Sequence, residues 1–154
     1  MVNAMNLDGQ IELVTGASRG IGQGIAKHLA KQGATVIGTA TTESGAAAIS
    51  QYLSAVGNKG QGIALDVNDA AGVNAVIEQV QKEFGAVSIL VNNAGVTRDN
   101  LLMRMGDEEW DGVIDTNLRS VFRLSRAVMR GMMKAKGGRI INISSVVGAA
   151  GNGG

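Results

Sequence analysis

Short apolar segments alternate with longer amphipathic segments along the whole chain, and this rhythm restricts the possible folds more than any other feature. The apolar segments predict strands at 11–15, 35–39, 63–67, 89–91 and 139–144. The amphipathic segments predict helices at 21–32, 44–56, 70–84 and 107–134. Alternation of this kind is typical of parallel βαβ crossovers, and nearly uniform apolar strands are expected where helices cover both faces of a sheet. The sequence therefore predicts an α/β fold: a Rossmann-like, doubly wound parallel sheet with helices on both faces.

The composition is that of one globular domain. The chain has 154 residues, 45% of them apolar and 18% charged, which is enough to bury a core of its own. No apolar run reaches the roughly 18 residues that a membrane helix needs, and no signal-peptide pattern is expected at the N-terminus. A net charge of +1 and the lack of cysteine give no reason to expect nucleic-acid binding or thiolate chemistry. These features are consistent with a cytoplasmic enzyme.

The segment between the first predicted strand and the first predicted helix has the pattern T-G-x-x-x-G-x-G, with glycines at Gly16, Gly20 and Gly22. In an open parallel sheet, ligands bind beyond the carboxyl ends of the strands. Glycines there let backbone amides approach a pyrophosphate, and the following helix offers its positive N-terminus to the same anion. The alternative is a tight turn that merely requires glycine, but three glycines at this junction favour a dinucleotide site.

The end of the second predicted strand indicates which dinucleotide is expected. NAD-binding proteins place an acidic residue there to hold the ribose hydroxyls. Residues 39–42 read Thr-Ala-Thr-Thr, with no acid before Glu43. The Thr41 hydroxyl can donate to a 2′-phosphate, and Arg19 can pair with it, unless Arg19 is only a solvated loop cation. The sequence therefore predicts NADP(H) as the cofactor.

Four motifs occur in order along the chain: the glycine pattern, Asn92-Asn93-Ala94-Gly95 after the fourth predicted strand, Asn117 within the long predicted helix, and Ser145 after the fifth strand. Together they resemble the motifs of the short-chain dehydrogenase/reductase family. The resemblance covers essentially the whole chain. Segments 36–41, 96–105 and 117–125 in particular resemble the 3-oxoacyl-[acyl-carrier-protein] reductases of bacterial fatty-acid synthesis.

The resemblance implies a cofactor site made of residues from four loops. Its members are Gly16, Ser18, Arg19, Gly20, Ile21, Gly22, Thr41, Asp66, Val67, Asn93, Ala94 and Gly95. Within it, Asp66 is expected to touch the adenine or to be a strand-end turn residue. Asn93 is expected near the adenosine ribose or as a brace for the neighbouring strand, and both roles are compatible.

The resemblance also implies two catalytic residues. Ser145 is expected to hold the substrate oxygen, the alternative being a residue that only ends a strand. Asn117 is expected to hold a water in the proton relay, the alternative being a bridge between helix and sheet backbone.

The family's proton donor is a tyrosine followed four residues later by a lysine, which lowers the tyrosine pKa from about 10. The only tyrosine here is Tyr52, with Val56 at that spacing, and Tyr52 is expected to pack in its helix. The family's pair would fall just past Gly154. We therefore expect residues 1–154 to be a dinucleotide-binding domain that is incomplete at its C-terminus and inactive by itself.

The activity implied by the resemblance is NADPH-dependent reduction of a 3-oxoacyl thioester on acyl carrier protein, by a homotetramer. The helix predicted at 107–134 is apolar on more than one face, which fits burial against another subunit. The cations near its end fit docking of the acidic carrier protein, or simply the negative end of a helix dipole. They are Arg126, Arg130, Lys134, Lys136 and Arg139.

The alternative activities are reduction of acetoacetyl-CoA or of another small ketone. A further alternative is a non-catalytic NADP-binding protein. No nucleic-acid or membrane partner is expected.

Two charged or titratable residues are expected to have structural consequences rather than functions. Glu12 lies inside the first predicted strand, where a carboxylate is costly unless it is paired or protonated. His28, the only histidine, lies within the first predicted helix without a second histidine or an acidic cluster nearby, so no metal site is expected. The glycine-rich segment 148–154 is expected to form neither helix nor strand.

Overall fold

The computed structural model describes residues 6–152. Five strands form a single sheet in the order β3-β2-β1-β4-β5, and each pairing is parallel. The strands are β1 (Ile11–Val14), β2 (Thr35–Ala40), β3 (Gly62–Ala64), β4 (Ile89–Asn92) and β5 (Arg139–Asn142). The order reverses between β1 and β4, so the predicted doubly wound α/β fold is confirmed.

Helices connect the strands as the sequence pattern predicts. They are α1 (Gly20–Lys31), α2 (Glu43–Ala55), α3 (Ala70–Glu83), α4 (Asp107–Ile114), α5 (Ser120–Lys134) and the single turn α6 (Val147–Ala150). Side-chain caps explain where two of them begin: Thr42 accepts from the Gly45 amide ahead of α2, and Asp69 from the Ala71 amide ahead of α3. Within the described residues, no helix has both the length and the apolar character needed to span a bilayer.

The long predicted helix is interrupted by a π-helical turn at Asp115–Arg119, which separates α4 from α5. The apolar pattern continues through the turn, so periodicity alone did not reveal it. An extra residue in a helical turn shifts every later side chain around the axis, and such turns occur frequently at functional sites.

The prediction that residues 148–154 form neither helix nor strand was wrong for residues 148–150, which belong to α6. The Ser145 Oγ accepts the Val147 amide at 3.3 Å, and this contact begins the turn. The third and fifth strands are also shorter than predicted, because their pairing with neighbours ends at Ala64 and Asn142.

Two apolar layers cover the two faces of the sheet. One layer lies towards α3 and α5 and includes Leu13, Leu90 and Leu124. The other lies towards α1 and α2 and includes Val14 and Leu53. Successive residues of β1 thus belong to opposite layers, which explains why the strand is apolar throughout.

Glu12 is the exception, because its side chain is 0% exposed. Its neighbours in register, Val36 and Ile89, are both members of the apolar layer beneath α1 and α2. Neither carboxyl oxygen has a hydrogen-bond partner among the described residues. Burial raises the pKa of Glu12 to about 7, because an unpaired charge is costly in an apolar environment.

Candidate functional site

A cleft of about 710 Å³ opens at the carboxyl ends of the central strands. All of the predicted cofactor-binding residues line it: Gly16, Ser18, Arg19, Gly20, Ile21, Gly22, Thr41, Asp66, Val67, Asn93, Ala94 and Gly95. Sequence reasoning did not include Asn68, Val96, Arg98 and Thr116, which line it as well. The structure thus brings the predicted residues together in one cleft.

The glycine pattern forms a compact turn against the start of α1. Gly16 and Gly20 have φ values of 65° and 57°, a left-handed conformation that favours glycine. A Cβ atom on Gly22 would overlap with the carbonyl oxygen of Gly16, so this close backbone approach requires glycine. The first turn of α1 contains no acidic residue, and its N-cap Arg19 makes no side-chain cap. The amides at this helix end are therefore suited to an anionic ligand.

Thr15 and Asn93 fasten the glycine turn to the segment that follows β4. The Thr15 Oγ1 accepts the backbone amides of Asn93 and Ala94 at 3.0 and 2.9 Å. In return, the Asn93 Nδ2 donates to the carbonyl oxygens of Thr15 and Gly16 at 2.9 and 3.2 Å. The bracing role expected for Asn93 is therefore observed directly, and it gives the floor of the cleft a defined shape.

Residues with hydroxyl side chains line the cleft where β2 meets α2. Thr41 lines the cleft and directly precedes Thr42, whose Oγ1 accepts the Gly45 amide at 3.1 Å. The Cβ of Ser18 lies 3.6 Å from the position that a Cβ on Gly45 would occupy. The glycine turn therefore meets the first turn of α2, with the exposed Arg19 beside it. The residues that line this corner carry two hydroxyls and one guanidinium.

The opposite wall of the cleft is connected to the helices beyond it. The Asp66 Oδ1 accepts the Asn68 amide at 2.9 Å, which is the turn role expected as the alternative for Asp66. The Asn68 Nδ2 donates to the Thr116 Oγ1 at 2.9 Å, and Arg123 donates to the Asn68 carbonyl oxygen at 2.8 Å. A hydrogen bond therefore joins the loop between β3 and α3 to the π-helical turn along this wall.

Asn117 is exposed and does not line the cleft itself. Its Oδ1 accepts the Val96 amide and its Nδ2 donates to the Val96 carbonyl oxygen, each at 2.8 Å. This is the helix-to-backbone bridge expected as one alternative. Through it, Asn117 holds a residue that does line the cleft.

Ser145 lies in the exposed turn between β5 and α6 and is not among the residues that line the cleft. Its strand ends beside β4, where the Asn92 Nδ2 donates to the Asn142 Oδ1 at 2.9 Å. Because parallel strands end at the same edge of a sheet, Ser145 lies at the edge that carries the cleft.

Tyr52 makes a contact that the sequence did not predict. It packs against the apolar layer beneath α1 and α2, as expected, but its hydroxyl also donates to the Ala17 carbonyl oxygen at 2.8 Å. Burial raises the pKa of Tyr52 to about 12, so the phenol remains a donor at neutral pH. No spacing relation connects a residue of α2 with the glycine turn, and only the fold brings them together.

Comparison with known proteins is consistent with this arrangement. Residues 10–154 match the sequence profile of the short chain dehydrogenase family. The chain is 65% identical over 150 residues to the 3-oxoacyl-[acyl-carrier-protein] reductases FabG of Escherichia coli and Shigella flexneri, covering 97% of this chain and 60% of each relative. The protein of that name from Vibrio cholerae is 62% identical over the same share of each chain.

The chain thus spans about 60% of the length of these curated relatives. The match includes the glycine turn, the segment after β4, and Asn117, which together form and support the cleft. The resemblance noted in the sequence is confirmed: this chain belongs to the short-chain dehydrogenase family.

Proposed function

We propose that the protein is a cytoplasmic NADPH-dependent reductase that converts a 3-oxoacyl group on acyl carrier protein into the 3-hydroxyacyl group in fatty-acid synthesis. The observation that carries this proposal is the cleft at the carboxyl ends of β1, β2 and β4, with the open N-terminus of α1 at its floor. The substrate is proposed from the relatives, which are named 3-oxoacyl-[acyl-carrier-protein] reductases.

The diphosphate of the cofactor is proposed to lie against the turn from Gly16 to Gly22. This turn offers backbone amides, has no acidic residue at its helix end, and is closely packed at Gly22. A preformed site of this kind binds an anion without first having to become ordered.

The preference for NADP(H) is proposed to arise at the corner formed by Ser18, Arg19 and Thr41. The strand end there has hydroxyls where an NAD-binding protein has a carboxylate, and a carboxylate would repel a 2′-phosphate. Arg19 supplies a charged partner, which makes the hydrogen bond stronger than a neutral one. Asp66 and Val67 are proposed to line the adenine end of the same cleft.

In the reaction, bound NADPH supplies the hydride, and the substrate carbonyl oxygen must gain a proton. We propose that Ser145 holds that oxygen and that Asn117 belongs to the proton relay, while its amide group also holds Val96 in place. The family's tyrosine and lysine pair does not occur within residues 1–154. We therefore propose that these residues alone bind the cofactor without turning over substrate.

The proposed assembly is a homotetramer formed through α4 and α5. Several large apolar side chains of these helices and of the π-helical turn between them are exposed: Trp110, Leu118, Phe122, Met129 and Met133. The opposite side of α5 buries Leu124 and Val128 in the core. Apolar surface of this extent on an amphipathic helix fits a subunit contact.

The exposed cations of α5 and of the segment that follows it are proposed to meet the acidic acyl carrier protein. They are Arg126, Arg130, Lys134, Lys136 and Arg139. Long-range attraction of this kind steers association and weakens as salt is added.

The proposal is tested first by calorimetric titration of NADPH and NADH into the chain. We expect NADPH to bind about tenfold more tightly or better, which corresponds to one charge-assisted hydrogen bond. The complete protein is then assayed with acetoacetyl-acyl carrier protein and acetoacetyl-CoA, and faster turnover of the carrier-protein substrate is expected. The absence of saturable NADPH binding would contradict the proposal.

A further inference from the structure

Tyr52 contacts the glycine turn although it does not line the cleft. Its ring packs against the apolar layer beneath α1 and α2, and the Lys27 ammonium lies 5.1 Å from the ring centroid. Its hydroxyl is the donor in a 2.8 Å hydrogen bond to the Ala17 carbonyl oxygen. The side chain therefore connects α1, α2 and the glycine turn.

This bond fixes the orientation of the peptide that joins Ala17 to Ser18. A trans peptide is planar, so its carbonyl and its N–H point in opposite directions, and no cis peptide occurs in the described residues. The other side of Ala17 is also held, because its amide donates to the Thr39 carbonyl oxygen at 2.8 Å. With Ala17 anchored at both of its backbone polar groups, the direction of the Ser18 amide is set.

Ser18, which directly follows the anchored Ala17, lines the cleft. Ala17 is fully buried, whereas Ser18 and Arg19 both line the cleft. Ser18 also lies against Gly45 in the first turn of α2, close to the cap residue Thr42. The residues directly after the anchored peptide are therefore those proposed above to meet the 2′-phosphate.

We propose that Tyr52 is a positioning residue that sets the preference for NADPH over NADH, by holding the Ala17–Ser18 peptide so that Ser18 and Arg19 meet the 2′-phosphate. This inference rests on the proposed function, because it requires a cofactor in the cleft. It assigns to Tyr52 a role in specificity without any contact with the cofactor.

The test is a comparison of cofactor affinities in the Tyr52→Phe variant, which removes only the hydroxyl. We expect NADPH affinity to fall by about three- to tenfold, the effect of one hydrogen bond, and NADH affinity to change by less than about twofold. Ser50→Ala is the matched control, because Ser50 lies on the same helix as Tyr52. Its hydroxyl accepts the Gly62 amide and does not contact the glycine turn. The control is expected to leave the ratio of the two affinities unchanged.

A second measurement does not require a substitution. Tyr52 is the only tyrosine of the chain, so labelling with 3-fluorotyrosine gives a single ¹⁹F resonance. We expect this resonance to shift on addition of 2′,5′-ADP and to shift less on addition of 5′-AMP, which lacks the 2′-phosphate.

An unchanged NADPH-to-NADH ratio in Tyr52→Phe, or equal weakening of both cofactors, would overturn the inference while leaving the proposed function intact. A resonance that responds equally to both nucleotides would do the same. A wild-type chain that binds neither dinucleotide would instead overturn the proposed function, and this inference with it.

Discussion

Asn117 holds both backbone polar groups of Val96, accepting its amide and donating to its carbonyl oxygen, each at 2.8 Å. The two residues belong to different parts of the fold, the π-helical turn between α4 and α5 and the segment after β4. Because Val96 lines the cleft, the position of the helix pair determines the shape of the cleft wall. Asn117, which lies outside the cleft, thus holds the backbone of Val96, which lines it.

The first prediction concerns this pair. Asn117→Ala removes both hydrogen bonds, and we expect the Val96 amide to exchange with solvent deuterium at least about tenfold faster, because it loses its acceptor. Asn117→Asp keeps the acceptor for the Val96 amide but sets a carboxylate oxygen against the Val96 carbonyl oxygen, so its exchange rate is expected to lie between those of the wild type and Asn117→Ala. Hydrogen exchange followed by NMR measures both. Equal exchange rates in the wild type and Asn117→Ala would show that the bridge does not hold Val96.

The second prediction is that the stability of the chain depends on pH, because the carboxyl group of Glu12 is buried. Its folded pKa of about 7 lies above the value of 4.5 for a free glutamate, so the folded state binds the proton more tightly. The free energy of unfolding should therefore be highest below about pH 4.5 as far as this group is concerned, fall as the pH rises, and level off above about pH 7. A shift of this size corresponds to roughly 3 kcal/mol.

Urea unfolding at pH 5 and pH 8 measures this effect, and Glu12→Gln is the matched variant. Glutamine has the same shape but does not titrate. The difference in the free energy of unfolding between pH 5 and pH 8 should therefore be much smaller in this variant. Glu12→Leu should also be more stable than the wild type at pH 8, because neither carboxyl oxygen has a partner to lose. A pH profile that is the same in the wild type and Glu12→Gln would assign the dependence to other groups.

A third prediction addresses the end of β2. Thr41→Asp places a carboxylate beside the proposed 2′-phosphate site, and we expect NADPH to bind about tenfold or more weakly, with NADH affected less. Thr41→Ser retains the hydroxyl and should preserve the preference for NADPH. Calorimetric titration of both cofactors decides between the outcomes, and an unaltered NADPH affinity in Thr41→Asp would place the phosphate elsewhere.

The close packing of the glycine turn gives a fourth prediction. In Gly22→Ala the new Cβ would overlap with the Gly16 carbonyl oxygen and lie within 2.5 Å of the Asn93 Nδ2, so the turn must shift. We expect NADPH affinity to fall by at least about tenfold and the midpoint of thermal unfolding to decrease.

Gly24→Ala is the control for that variant, since it lies on the same helix and a Cβ there meets nothing within 4 Å. Alanine favours helix over glycine by roughly 1 kcal/mol, so Gly24→Ala should raise the midpoint and leave NADPH affinity unchanged. If both variants bound NADPH as the wild type does, the close approach at Gly22 would have no role in binding.

Local pattern was sufficient for most of the architecture. The first three helices begin and end within one residue of their predicted positions, because amphipathic spacing is a local feature. The π-helical turn at Asp115–Arg119 was not predictable, since an apolar pattern continues through it. The short helix α6 was missed because its small residues carry no periodic signal.

For this protein, sequence alone determined the parallel sheet with helices on both faces and the glycine turn, because both depend on spacing along the chain. The family resemblance added residues that line the cleft, but not Asn68, Val96, Arg98 or Thr116. Tertiary structure decided what fastens that cleft: the bonds from Tyr52 to Ala17, from Asn93 to Gly16 and from Asn117 to Val96. Each of these bonds joins segments that are distant in sequence. Hydrogen bonds of this kind depend on how strands and helices pack in three dimensions, and no pattern of neighbouring residues encodes that packing.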